Sequence, residues 1–490
     1  MALILIAVAL YGSLLGERIP IRDGRGWDGN RYMKTAADLD AGWELVSTNP
    51  YLFQRMIPSL VVHAGLVVTG SARDDATILA AFMLLNTSLL LLTLWLWLAV
   101  ANHFNLSAAA RWLGFVGLFV NVPCFKIAYY YPAITDMAAL ALGMALVYFL
   151  LIGRTLGVAL TALVGAFTWP MAGPMGALLV LFPREHEPRL EAIAAPISAA
   201  AKGLAVLTAV GVTLMSGYLF YARGIRSAGW GPVVGAVESV YPLSLLVTAV
   251  YVLVVIASLV PEPTPAGLLA TLRRIRPTNL ALALAIFMIP RLAAAIFTTG
   301  PELLTISSFI PYVFFLSTTR PGIFLVAHLV FFGPVLLLLP FVWKHVRALF
   351  QQWGAGAQLY TILGLMVAAC PDSRQSMLIV PMLIVVLVWG CERARLASKS
   401  LVLLFGALAF VMSRVWLPFN IPSSAPPATP AEAGWDMSRY YETQGNYITE
   451  PHYLSGLALG GLILFLLSFV SPDKRAPRGT GAAEGAANSL

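Results

Sequence analysis

Fourteen apolar runs follow one another along the chain, at about residues 2–16, 76–101, 110–123, 134–152, 156–168, 170–182, 203–222, 240–260, 279–298, 322–342, 356–369, 376–391, 400–416 and 453–471. A hydrocarbon core about 30 Å thick asks for roughly 20 apolar residues of helix, and a chain that repeats such runs this often has few ways to fold in water. Composition agrees, since 59% of residues are apolar and only 11% are charged. The expected fold is therefore all-α. It is a polytopic membrane helix bundle of roughly 13–14 transmembrane helices, with one membrane domain over 1–471 and a disordered cytoplasmic tail over 472–490.

A fifteenth apolar stretch, "RMIPSLVVHAGLVVTG" at 55–70, decides the topology. If it crosses, "RRIRP" and "CERARLASK" fall outside, against the positive-inside rule. If it lies in or on the interface, the inside segments hold sixteen Lys and Arg against seven Asp and Glu, and the rest of the chain is close to neutral. Residues 17–75 are then one long first external loop carrying juxtamembrane helices, with both termini cytoplasmic. The net charge of +8 is accounted for by topology, which removes the reason to invoke a nucleic-acid partner. Residues 2–15 lack a basic leader and a small-x-small cleavage site and read as a retained first span. Cys124, Cys370 and Cys391 show no paired spacing, and the six histidines are scattered, so neither a disulfide framework nor a metal ladder is signalled.

The same parity puts "CFKIAYYYPAITD" (124–136), 223–239, 299–321, "CPDSR" (370–374) and 417–452 on the face of the first loop. Asp28, in "WDGNRYMKTAADL", stands at the start of a helical spacing through Tyr32, Ala36 and Leu39. It reads as an N-cap with Trp27 as staple, or as a carboxylate able to act as general base. Asp136 opens a span in the same way after three tyrosines, which otherwise read as interfacial belt residues. Asp372 and Arg374 occupy a connection of about five residues, either a solvated turn or a phosphate-binding arginine held at head-group depth. Arg55, Lys126 and Arg320 are further outside cations that could hold phosphate or snorkel to lipid. The aromatic stretch 431–453, with Trp435, Tyr440, Tyr441 and Tyr447, suits a sugar ring or a packed cap.

Taken in order, Asp28 with Tyr32 and Ala36, then Pro50, Tyr51, Arg55 and Pro58, then Tyr131, Pro132 and Asp136, then Asp372, Arg374 and Pro381 resemble the motifs of the C-type (GT-C) superfamily of membrane glycosyltransferases. The resemblance implies a polyprenyl-phosphate sugar donor and a glycan, glycolipid or protein acceptor. It also implies a site on the periplasmic face of a bacterial inner membrane. Asp28 would be the base and Asp136 a second catalytic carboxylate. Arg374 would bind the donor phosphate, and Tyr32, Arg55, Lys126, Tyr131, Arg320 and Asp372 would contact substrate. No cofactor is required, and a divalent ion shared by Asp28 and Asp136 stays open. Direct attack would invert the anomeric carbon. Of two Asp-Gly pairs, only that at Asp28 has the Tyr32 and Ala36 spacing, which makes Asp23 the control. Competing readings are a lipid-linked oligosaccharide polymerase or ligase, a transporter or flippase of envelope glycolipids, and a non-catalytic scaffold. The carrier is disfavoured because the apolar runs hold almost no acid.

Overall fold

In the computed structural model, which describes residues 1–184, 194–224, 237–300, 306–420 and 438–469, every regular element is helical. Helix accounts for 76%, and there is no strand among the described residues. The expected tail, much of the last external loop and Trp435 lie outside the described residues.

Among the described residues, five helices are long and apolar enough to cross a membrane: Asp75–His103, Ala199–Ala222, Glu238–Leu259, Pro277–Phe297 and Glu450–Ser468. The other runs give shorter helices. The first, α1 (Ala2–Leu14), has 13 residues, or about 20 Å at the α-helical rise. Several runs that look continuous in sequence are interrupted by backbone chemistry. The 322–342 run stops at Gly333, whose φ of 81° a side chain would resist. A 3₁₀ turn at Pro334–Leu338 follows before the helix resumes at Leu339.

The most consequential interruption is at 120–135. The helix Ala108–Phe119 and the segment Pro123–Tyr130 meet at 62°. The tyrosines read as interfacial belt residues are instead core: Tyr129, Tyr130 and Tyr131 are each no more than 2% exposed. Breaking a helix inside a core frees backbone groups that must find partners. Asn121 supplies some of them, donating to the Leu118 carbonyl at 3.0 Å and accepting from Cys124 N at 3.0 Å. Asn86 supplies others, donating to the carbonyls of Ala128 at 2.8 Å and Pro132 at 3.0 Å.

Residues 17–75 carry four short helices, α2 (Asp28–Ala37), α3 (Leu39–Ser47), α4 (Pro50–Phe53) and α5 (Ile57–Thr69), before the long α6 (Asp75–His103). Their starts follow ordinary rules. Asp38 accepts from Asp40 N and Ala41 N to cap α3, and Asn49 accepts from Tyr51 N and Leu52 N ahead of Pro50 to cap α4. The α5 helix has 13 residues, about 20 Å of helix, and packs on α2 and α6. Tyr32, Met33 and Ala36 of α2, Phe53 of α4, Val62 and Leu66 of α5 and Phe82 of α6 form one buried cluster with Ala133 and Ala294. The loop is also pinned by its backbone, since Ile57 N donates to Phe167 O and Thr299 N donates to Ser47 O.

The helix Asp136–Leu151 lies against the Leu378 backbone through Gly143, where a methyl group would collide with the Leu378 carbonyl. Gly143→Ala should therefore destabilise the protein by about 1–3 kcal/mol, the usual range for overpacking. Gly203→Ala, which meets open space, should leave thermal unfolding in detergent unchanged or slightly later.

Candidate functional site

Asp28 is the first helical residue of α2 and not its cap, which is Trp27 without a side-chain bond. Its carboxylate is free of the capping duty the sequence assigned to it. Instead Oδ2 accepts the Tyr51 hydroxyl at 3.2 Å. The adjoining backbone is held from the other side, because Gly29 N donates to the Tyr131 hydroxyl at 3.0 Å. Trp27 stacks on Tyr440 at 6.1 Å and meets Tyr131 edge-on at 6.2 Å. Asp23 is exposed, in a turn of positive φ.

Tyr51 leads from Asp28 to Arg55, one turn further on. The Arg55 guanidinium lies over two rings, with its carbon 4.5 Å from the Tyr51 ring centroid and 4.5 Å from that of Trp169. Such stacking suits a planar, weakly hydrated cation. Arg55 is only 6% exposed, donates from Nη1 to the Thr135 hydroxyl at 3.3 Å, and leaves its buried Nε without a partner.

Thr135 precedes Asp136, the first residue of the Asp136–Leu151 helix, where a negative charge is favoured by the helix dipole. Asp136 is fully buried and is held by Arg374 through two bonds, Nε to Oδ2 at 2.9 Å and Nη2 to Oδ1 at 3.0 Å. The sequence reading assigned these two residues separate roles, and the structure pairs them. Both oxygens of Asp136 accept from Arg374, so the carboxylate stands as the partner of a cation, and the Arg374 fork is filled by that carboxylate. Asp372 accepts from Gln375 Nε2 at 3.2 Å. Burial pushes its carboxyl above the ordinary carboxylate range, against the pull of Arg374 and of the Gln375 hydrogen bond. The Asp372–Ser376 turn is itself braced by His328, whose ring nitrogens bond Ser373 Oγ at 2.8 Å and the Ala368 carbonyl at 2.6 Å. The carbonyl can only accept, so Nε2 carries the proton and Nδ1 accepts from Ser373.

Beside this cluster lies a cavity of ≈ 940 Å³. Tyr51, Gln54, Arg55, Trp169 and Gln375 supply its polar end, and Met171, Val212, Ile256, Ile286 and Val313 are among its apolar walls. No carboxylate lines it. An apolar chamber with a few convergent polar groups is the form of a site for an amphiphile.

Of the other expected contacts, Tyr131 and Tyr32 join the cluster. The Tyr32 hydroxyl is buried without a hydrogen-bond partner, in electrostatic reach of Tyr51, Arg55 and Asp28. Lys126 and Arg320 point elsewhere. Lys126 donates to Glu17 Oε1 at 2.8 Å and to the Leu417 carbonyl at 3.0 Å, in a clamp where Glu17 also accepts from Phe419 N and Asn420 N. Arg320 lies over Tyr453 at 5.5 Å. Asp136, the second carboxylate of the divalent-ion reading, has Arg374 against both of its oxygens. Among the described residues no three His, Cys, Asp or Glu side chains cluster for metal binding. Sequence reasoning missed Trp169, Gln54 and Gln375, and Tyr51 stood only as a motif letter. No local spacing marks any of them.

Arg374→Gln strands the fully buried Asp136 charge and should cost about 3–5 kcal/mol, and Asp136→Asn, which leaves the partly exposed Arg374, should cost less. The double variant should recover part of that loss in thermal unfolding. For Asp372, a native pKa above the unfolded one means the folded state holds the proton longer, so its stabilising contribution is present at low pH and lost as pH rises through the native value. Asp372→Asn should thus gain thermal stability relative to the parent as pH is raised from about 4 towards 8. No protein-family model, curated protein or solved structure matches this chain, and its site stands on its own geometry.

Proposed function

We propose that the chain is a membrane-embedded glycosyltransferase that moves a sugar from a lipid-phosphate donor to an acceptor hydroxyl. One observation carries the reading. A carboxylate, Asp28, is linked through the Tyr51 hydroxyl and ring to a buried, incompletely paired cation, Arg55, and Tyr51 and Arg55 both line a large apolar cavity. A lipid-linked sugar phosphate asks for that sequence of environments: apolar for the tail, cationic for the phosphate, and a base beyond it for the attacking hydroxyl.

In the proposed reaction the acceptor oxygen attacks the anomeric carbon and passes its proton to Asp28. The bond from that carbon to the phosphate oxygen breaks, and its electron pair leaves on the phosphate, where a fixed cation stabilises it. Tyr51 orients the carboxylate by donating to Oδ2. In-line attack inverts the anomeric configuration. The half-buried Trp27 ring next to Asp28, backed by the buried Tyr440 ring, supplies the aromatic surface on which an acceptor sugar would rest. The shorter apolar helices complete the bundle of 13–14 crossings. The distribution of Lys and Arg orients it with both termini in the cytoplasm and the site at the outer face of a bacterial inner membrane.

The test is transfer of radiolabelled sugar from a polyprenyl-phosphate donor by the full chain in vesicles. Asp28→Asn should lower the rate by about 10²–10⁴-fold, the usual contribution of a general base, and Asp23→Asn should match the parent. Equal activity of Asp28→Asn and parent would remove the assignment.

A further inference from the structure

The sequence reading gives the donor phosphate to Arg374, and the geometry moves it. An arginine binds phosphate best through a fork of two parallel N–H groups, such as Nε with Nη2. In Arg374 that fork is closed, because Nε and Nη2 both donate to Asp136. In Arg55 the same fork is open. Nε is buried with no partner, and among the described residues the guanidinium makes one hydrogen bond, from Nη1 to Thr135. The Tyr51 and Trp169 rings both lie against the guanidinium, which leaves the unpaired Nε–Nη2 edge as the part to take a ligand. Arg55 lines the ≈ 940 Å³ cavity and is 94% buried by its 6% exposure, whereas Arg374 does not line it.

We propose that Arg55 is the seat of a single phosphodiester, the head of a lipid whose tail fills the cavity, and that the Asp136–Arg374 pair is a strut and not a phosphate ligand. The proposal rests on the lipid-phosphate donor reading and narrows it. A phosphodiester carries one charge and two free oxygens on one phosphorus, which one fork satisfies. A diphosphate brings a second phosphorus that needs a second fork, and the neighbouring one is closed. The other cation of the cavity wall, Arg291, is exposed with its guanidinium 3.7 Å from the Phe287 ring centroid, and offers no such buried fork.

The test is equilibrium binding to the full chain in detergent, with no sugar or acceptor present, so that it stands apart from transferase activity. The probes are farnesyl methyl phosphate, farnesyl diphosphate, farnesol and tail-less dimethyl phosphate. The parent should bind the farnesyl diester more tightly than the diphosphate, and at least tenfold more tightly than dimethyl phosphate. Arg55→Gln should weaken the diester at least tenfold while farnesol affinity holds, which also shows that the cavity is still folded. Arg55→Lys, which keeps the charge without the fork, should fall between the two. Tighter binding of the diphosphate would overturn the single-phosphate seat, and equal binding of dimethyl phosphate would overturn the lipid as its source. Unchanged diester affinity in Arg55→Gln would overturn Arg55 as the seat. If the diester binds as described and no sugar is transferred, the seat stands and the transferase reading fails.

Discussion

The buried ion pair of Asp136 and Arg374 is the contact on which the rest of the site depends. It joins residues 238 apart in sequence, the start of one core helix and a tight turn between two others. Removing a carboxylate wholly from water is expensive unless its partner meets it with good geometry, and here two near-parallel bonds do so. Such a pair contributes less to net stability than to uniqueness of arrangement. With Arg374 fixed, the turn that carries Asp372 and Gln375 has one position against the Asp136 helix. Gly143 lets the Leu378 backbone close the same contact, and His328 holds the turn from the opposite side.

Around that strut, three separate segments deliver the functional groups. The first loop brings Asp28, Tyr51 and Arg55, the broken helix brings Tyr131 and Thr135, and the turn at Phe167–Met171 brings Trp169. Asp28 and Tyr51 come from short helices, whereas Arg55, Tyr131, Thr135 and Trp169 stand on irregular backbone that needs side chains to satisfy it. Asn86 and Asn121 do this within the core. The result separates two carboxylates that look alike in sequence, one locked by an arginine and one held by a phenol.

Much of this was legible in the sequence where the signal is local. The helical class follows from the run lengths, and the helices of residues 17–75 follow from the charge pattern together with the short 55–70 stretch. Charge parity also placed Asp28, Arg55, Tyr131, Asp136, Asp372 and Arg374 on one face, and the structure brings these six together. Pairing was not legible. Asp28 and Asp136 both open helices, and only the fold shows that Arg374 claims one of them. Lys126 reads as a free outside cation because Glu17, its partner, is 109 residues away. The three tyrosines read as belt residues because nothing in "YYYPAITD" reveals that Asn86 draws the segment inward. Counting apolar residues likewise overlooks that Gly333 and Pro334 split a run of sufficient length.

In the arrangement we propose, the unpaired edge of Arg55, and not the filled fork of Arg374, receives an anionic head while the cavity takes its tail. A density map of the full chain in lipid nanodiscs with a bound farnesyl phosphodiester tests this most directly. The account expects phosphate oxygens about 3 Å from Arg55 Nε and Nη2, tail density between the walls at Ile256 and Ile286, and an intact Asp136–Arg374 pair. A phosphate seated on Arg374 with Asp136 released, or a lipid bound outside the cavity, would contradict it.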